Sequence, residues 1–188
     1  MDFCSAQEMM QRLNNDNFNG LYFIRARSEE AIQKMSNELY SEWLTREKPS
    51  LDPLLVYIGK ANGNDGLKQR LEQELYHKGA GTFFRSLGAV MGKRTIIAHT
   101  PAGIRNYRFE NPAKEEIIDF IVSDLEVAVI HMDDVGSILT MESTLIETNK
   151  PIFNIKGNPN PSQVIFQARE QCRMFAAGIF TADNCSDN

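Results

Sequence analysis

The sequence predicts an α+β fold, and two observations carry that expectation. Three short runs rich in aromatic and β-branched residues, 20–26, 54–61 and 126–132, read as strands. Between and after them lie longer stretches whose apolar residues recur at helical spacing. Alternation of this kind over 188 residues fits one decorated domain, 1–188, and no internal repeat or low-complexity linker divides it.

Taken in order, residues 4–13 read as a short leading helix, followed by the turn-prone NNDNFNG and the strand GLYFIRA (20–26). SEEAIQKMSNELYSEWLTREK (28–48) reads as one amphipathic helix, with Ala31, Ile32, Met35, Leu39 and Trp43 on a common side. Pro49 and Pro53 bracket a break before the strand LLVYIGKA (54–61), which ends at the glycine-rich turn ANGNDG. Leu67, Leu71 and Leu75 form an i, i+4, i+8 stripe along a helix over 66–78. TFFRSLGAVMG (82–92) reads as another helix and TIIAHT (95–100) as a strand, followed by an irregular basic loop. Pro112 opens a helix reaching about Val122. After the strand EVAVIHM (126–132), a helix over 136–150 stops at Pro151. A loop leads to a last helix, 162–177, and a polar tail.

Composition narrows the function classes. The unbroken apolar runs are too short to span a bilayer. The N-terminus carries an acid at its second position and no basic start followed by an apolar stretch, so it does not read as a secretory signal. Cys4, Cys172 and Cys185 are odd in number and widely spaced, which argues for a reducing compartment, the cytoplasm. The net charge of −5 weighs against a polyanion partner, but residues 57–109 hold nine Lys/Arg and three Asp/Glu, a local balance of +6. Chance clustering of surface charge gives the same pattern. No Walker A loop or GxGxxG fingerprint is present.

Glu142 is the clearest chemical signal. On a helical projection it lies near the middle of an arc formed by Ile138, Leu139, Met141, Leu145 and Ile146. A carboxylate aimed into apolar surroundings needs compensation. A bound cation, an Arg or Lys partner, or a proton each supplies it. Arg70, Glu74 and His77 border one edge of the leucine stripe. An arginine there can grip a phosphate, or simply pair with Glu74 on the surface. Tyr22 and Tyr57 sit in strands, where tyrosine is commonly a half-buried β-former. Lys60 stands at a strand-to-loop transition, where taken alone it is an ordinary solvated lysine.

Together these residues become recognisable. Gly20-Leu21-Tyr22, then Tyr57-Ile58-Gly59-Lys60-Ala61, then Gly66-Leu67-Lys68-Gln69-Arg70-Leu71 resemble the signature of GIY-YIG nucleases. Glu142 on a helix after the third strand, and Pro151-Ile152-Phe153-Asn154 after it, continue the resemblance. The step of three from Tyr57 to Lys60 and of twelve from Glu142 to Asn154 look like the catalytic module of nucleotide-excision repair nucleases; homing-type members share the motif order. The resemblance covers roughly 18–156 and implies a small three-stranded antiparallel sheet flanked by helices. Two departures stand out. The family keeps its tyrosine motifs close together, whereas Tyr22 and Tyr57 are 35 residues apart, separated by an insertion at about 28–50. A second insertion, about 80–125, separates the arginine helix from the third strand.

The resemblance implies a metal-dependent endonuclease acting on nucleic acid, DNA first. Its catalytic set is Tyr22, Tyr57, Lys60, Arg70, Glu142 and Asn154. Glu142 holds one divalent cation, Mg²⁺ or Mn²⁺, at the leaving oxygen; Arg70 and Lys60 bind phosphate oxygens; Tyr57 or Tyr22 activates water; Asn154 orients the site or a strand end. A tyrosine has a pKa near ~10, so a basic role near neutral pH requires positive charge beside it. Lys68, His77 and Arg85 are expected to contact substrate. Lys78, Lys93, Arg94, Arg105 and Arg108 are positioned to track a backbone, and Phe84 and Tyr107 either stack on bases or fill the core. The other readings are a catalytically silent nucleic-acid- or protein-binding module on the same fold, or a protein-interaction domain with coincidental matches. The acidic stretch 110–149 is expected to face away from substrate or to bind a protein partner, and a double-strand cut by one such centre would call for a homodimer or sequential action.

Overall fold

The computed structural model describes residues 1–13, 18–63 and 66–179. The turn-prone run at 14–17, positions 64–65 of the glycine-rich turn and the polar tail from 181 onward lie outside the described residues. The architecture is α+β: a four-stranded antiparallel sheet in the order β1-β4-β2-β3, flanked by helices.

The three expected strands are β2 (Gly20–Ala26), β3 (Leu55–Ala61) and β4 (Leu125–His131), with β2 in the centre. The fourth, β1 (Cys4–Ser5), pairs with β4 where only a helix was expected; the helix α1 (Ala6–Arg12) follows it, capped by Ser5. Alternation along β2 divides the core between two faces. Leu21 and Phe23 join Leu55, Ile58 and Ala128 beneath α8 (Val135–Asn149). Tyr22 and Ile24 point to the opposite face, where α4 (Gly66–Tyr76) lays its leucine stripe.

Four further expectations are corrected. The helix over 28–48 is two helices, α2 (Glu29–Met35) and α3 (Asn37–Thr45). Ser36 between them is extended, and its hydroxyl accepts from the backbone N–H groups of Glu38 and Leu39. This serine cap interrupts the helix, while the apolar period continues because both halves bury the same side. The strand expected at 95–100 reduces to a single bridge between Thr95 and Phe109. Ile96 and Ile97 are exposed, so its β-branched run lacks a sheet to join. The basic loop after it contains α6 (Pro101–Arg105), following α5 (Thr82–Val90). Finally, Leu139 and Met141 are exposed on α8, whose buried line is the narrower Ile138–Ile146 pair.

The remaining helices are α7 (Asn111–Asp124), opened by Pro112, and α9 (Gln163–Ala176), capped by Ser162. The outer edge of β3 is covered. The backbone N–H of Phe153 donates to Val56 O at 2.9 Å. Asn154 continues that pairing with its side chain, Nδ2 donating to Ile58 O at 2.8 Å and Oδ1 accepting from Ile58 N at 2.9 Å. A carboxamide thus completes the ladder that an exposed edge leaves open. No helix among the described residues is long and apolar enough to cross a membrane.

Candidate active site

Five of the six expected catalytic side chains meet at one cavity of about 340 Å³: Tyr22, Tyr57, Lys60, Arg70 and Glu142. They come from β2, β3, α4 and α8, and the sheet register explains the convergence. Tyr22 lies opposite Gly59 on the neighbouring strand. A Cβ at Gly59 would stand 2.2 Å from Cζ of Tyr22, so glycine is what lets the ring lie across β3. Gly20 has φ +155°, and a Cβ there would stand 2.0 Å from Ile130 O. Only glycine tolerates that backbone and that approach to β4. Tyr57 and Lys60, three residues apart in β3, fall on opposite faces of the sheet. The tyrosine joins Tyr22 and α4, while the lysine turns to α8.

The α4 side is a closed network. Tyr22 donates to Glu74 Oε1 at 3.2 Å and accepts from Arg70 Nε at 3.3 Å. Arg70 also forms an ion pair with Glu74 and donates to Gln73 Oε1 at 2.9 Å. The second Glu74 oxygen accepts from the backbone N–H of Phe83 at 2.7 Å. Glu74 is fully buried, with Leu67, Leu71 and Leu75 beside it. The ring of Tyr57 lies 6.1 Å from that of Tyr22 and 5.3 Å from Phe83. Burial, and then the charge of Glu74, push both tyrosine hydroxyls above their ordinary pKa. Without a bound cation both hydroxyls therefore carry their protons, and Arg70 alone does not offset burial and Glu74.

The α8 side carries a single ion pair among the described residues. Glu142 pairs with Lys60, and its side chain retains 17% exposure. It lines both the first cavity and a larger one of about 600 Å³ on its far side. The sixth expected residue, Asn154, borders that second cavity while holding the backbone of Ile58 beside Tyr57.

The expected substrate contacts lie elsewhere. Lys68, on α4, does not line the cavity. His77, just past α4, has φ +53° and stacks on Phe84 with centroids 4.7 Å apart. Burial, reinforced by the charge of Arg85, lowers its pKa to about 4, so it is a neutral ring. Arg85 is buried, and its backbone carbonyl accepts from the Tyr107 hydroxyl at 3.1 Å. Phe84 and Tyr107 are core residues. The Arg70–Glu74 pair that the sequence offered as a surface pair does form, but with Glu74 buried, because it projects roughly 20° from Leu67, inside the leucine stripe.

A neutral tyrosine pair, two cations and one carboxylate around an open cavity form a site for an oxyanion with room for an ion beside the carboxylate. Residues 20–173 match the model of the GIY-YIG catalytic domain, and the chain belongs to the GIY-YIG family, a family of endonucleases typically dependent on a divalent metal. No curated protein and no solved structure matches the chain. The matched range spans both insertions.

The donor set fits one kind of metal. Among the described residues, no group of three or more His, Cys, Asp and Glu side chains is gathered for a metal. Glu142 is a single carboxylate facing open cavities. Mg²⁺ and its hard relatives bind through one or two carboxylates, with waters and substrate phosphates filling the remaining positions. A structural zinc site requires a closed set of protein ligands.

Proposed function

We propose that this protein is an endonuclease that hydrolyses phosphodiester bonds of nucleic acid, DNA first, at the cavity bounded by Tyr22, Tyr57, Lys60, Arg70 and Glu142. The observation that carries this reading is the meeting of these side chains from four separate elements around a single opening. Arg70, fixed by Tyr22 and Glu74, presents a guanidinium to a phosphate oxygen. Lys60 is the second cation; a metal held by Glu142 would leave its ammonium free for a phosphate oxygen. Tyr22, whose hydroxyl proton is committed to Glu74, fixes Arg70 for the phosphate. Tyr57, at the cavity wall, is the candidate base for the attacking water's proton, a role the positive charge of Lys60, Arg70 and a bound cation would favour. Asn154 is a positioning residue: it keeps the Tyr57–Lys60 segment of β3 straight. Glu142 would hold Mg²⁺ or Mn²⁺, which supplies charge neutralisation at the leaving oxygen.

Purified protein incubated with plasmid, single-stranded DNA and RNA tests this. Nicking or cutting that requires Mg²⁺ or Mn²⁺, stops with EDTA and is lost in Glu142→Ala and Arg70→Ala is the expected result. Removing one preorganised charge stabiliser lowers turnover by about 10²–10³-fold. Binding without cutting, unchanged by Glu142→Ala, would point instead to a silent module.

A further inference from the structure

Beyond Glu142, away from Arg70, opens the cavity of about 600 Å³ between α8, the 154–157 loop and α9. Tyr57, Lys60 and Glu142 line it as well as the first cavity, so the two are neighbours sharing one wall. Its own lining is cationic: Lys156, Arg169 and Arg173 face it, and Glu142 is its sole carboxylate. Phe166, Arg169 and Arg173 fall at i, i+3 and i+7 on α9, one face of that helix. Phe166 is 52% exposed, so its ring is open to a ligand in the cleft. Lys156 is exposed, and neither it nor Arg169 forms an ion pair among the described residues. Arg173 is engaged by Glu170 at 2.9 Å at the rim.

An aromatic face between unpaired cations is what a single nucleic-acid strand requires: charge for the backbone and a ring for a base. We propose that this cleft is a strand-binding subsite holding the nucleotides next to the scissile phosphate. Lys156 and Arg169 take the flanking phosphates, and Phe166 stacks on an unpaired base. The subsite rests on the endonuclease reading for its orientation but not for its ligand. Glu142, shared by both cavities, sets the order along the strand. The scissile phosphate lies on the Arg70 side and the flanking nucleotides lie on the α9 side. The cleft selects substrates in which those nucleotides are single-stranded or frayed.

Fluorescence anisotropy with a labelled 20-nucleotide single-stranded DNA, in EDTA, tests the subsite without cutting. For Lys156→Ala/Arg169→Ala, the slope of log affinity against log salt should fall by about 1.4, at about 0.7 per phosphate contact on single strands. Phe166→Ala should weaken binding about tenfold and leave that slope unchanged. Lys156→Glu, a change at an exposed position, repeats the charge test without risk to the fold. Lys34→Ala, at a lysine paired with Asp124 outside both cavities, should alter neither quantity. Slopes and affinities equal to wild type in all the cleft variants overturn the subsite, even if the enzyme cuts. Altered binding in a protein that never cuts keeps the subsite and removes the nuclease. A wild-type protein that binds no single strand overturns the subsite and leaves the nuclease to the cutting assay.

Discussion

The two halves of the candidate site are built differently. On the α4 side, Tyr22 and Glu74 are fully buried and tie down Arg70, which reaches the cavity with its side chain partly exposed. On the α8 side, Lys60 and Glu142 form one ion pair between two cavities, and both remain partly exposed. Buried polar networks hold geometry because each lost partner leaves another unpaired. Part-exposed pairs contribute little to stability and exchange partners readily. In the proposed reaction, Arg70 grips the phosphate from a buried frame that fixes it, and Glu142 would hold a metal where Lys60 can be displaced.

The contrast breaks if stability fails to follow it. Glu74→Ala should have the largest effect. It strips Arg70, Tyr22 and the Phe83 N–H of a partner at once, costing about 3–5 kcal/mol and most of the activity, seen in urea unfolding. Gly59→Ala should cost about 1–3 kcal/mol, because the buried Tyr22 ring has nowhere to move; the loss should be relieved in part by Tyr22→Ala. Asn154→Ala should cost about 1–3 kcal/mol by orphaning both backbone groups of Ile58, with a fall in turnover larger than any change in KM.

A smaller effect comes from His77. Its folded pKa, about 4, lies below the ordinary 6.5, so the unfolded chain binds the proton more readily. The stability this neutral ring contributes is complete above pH 6.5. It declines as pH falls through the window from 6.5 towards 4. Melting temperature between pH 7.5 and 5.5 should therefore fall less in His77→Asn, which also tolerates the left-handed backbone, than in wild type. Equal slopes would remove His77 from the account.

Much of the fold was legible because local rules and tertiary structure agree. The strands 20–26 and 54–61 were readable from β-branched and aromatic runs, and α4 and α8 from period and proline punctuation. The break at Ser36 was not, because the apolar period runs through it and only the serine signals the cap. The 95–100 run failed for the opposite reason, since strand-like composition does nothing where no partner strand is available. In the site, motif order brought out Tyr22, Tyr57, Lys60, Arg70 and Glu142. Residues chosen for charge or aromaticity alone, such as Arg85, Phe84 and Tyr107, turned out to lie in the interior. The burial of Glu74 was hidden in plain pattern, as a carboxylate among leucines. The basic face of α9 escaped because its three residues acquire meaning only beside the loop at 154–157.

Glu142→Ala, followed by thermal melting and by cutting in Mn²⁺ on the same preparation, bears most directly on the division of labour. A part-exposed pair should be worth no more than about 1 kcal/mol, so the melting temperature should stay within a few degrees of wild type. Cutting should be lost. Cutting that persists without this carboxylate, or a fold that collapses when it is removed, would contradict the account.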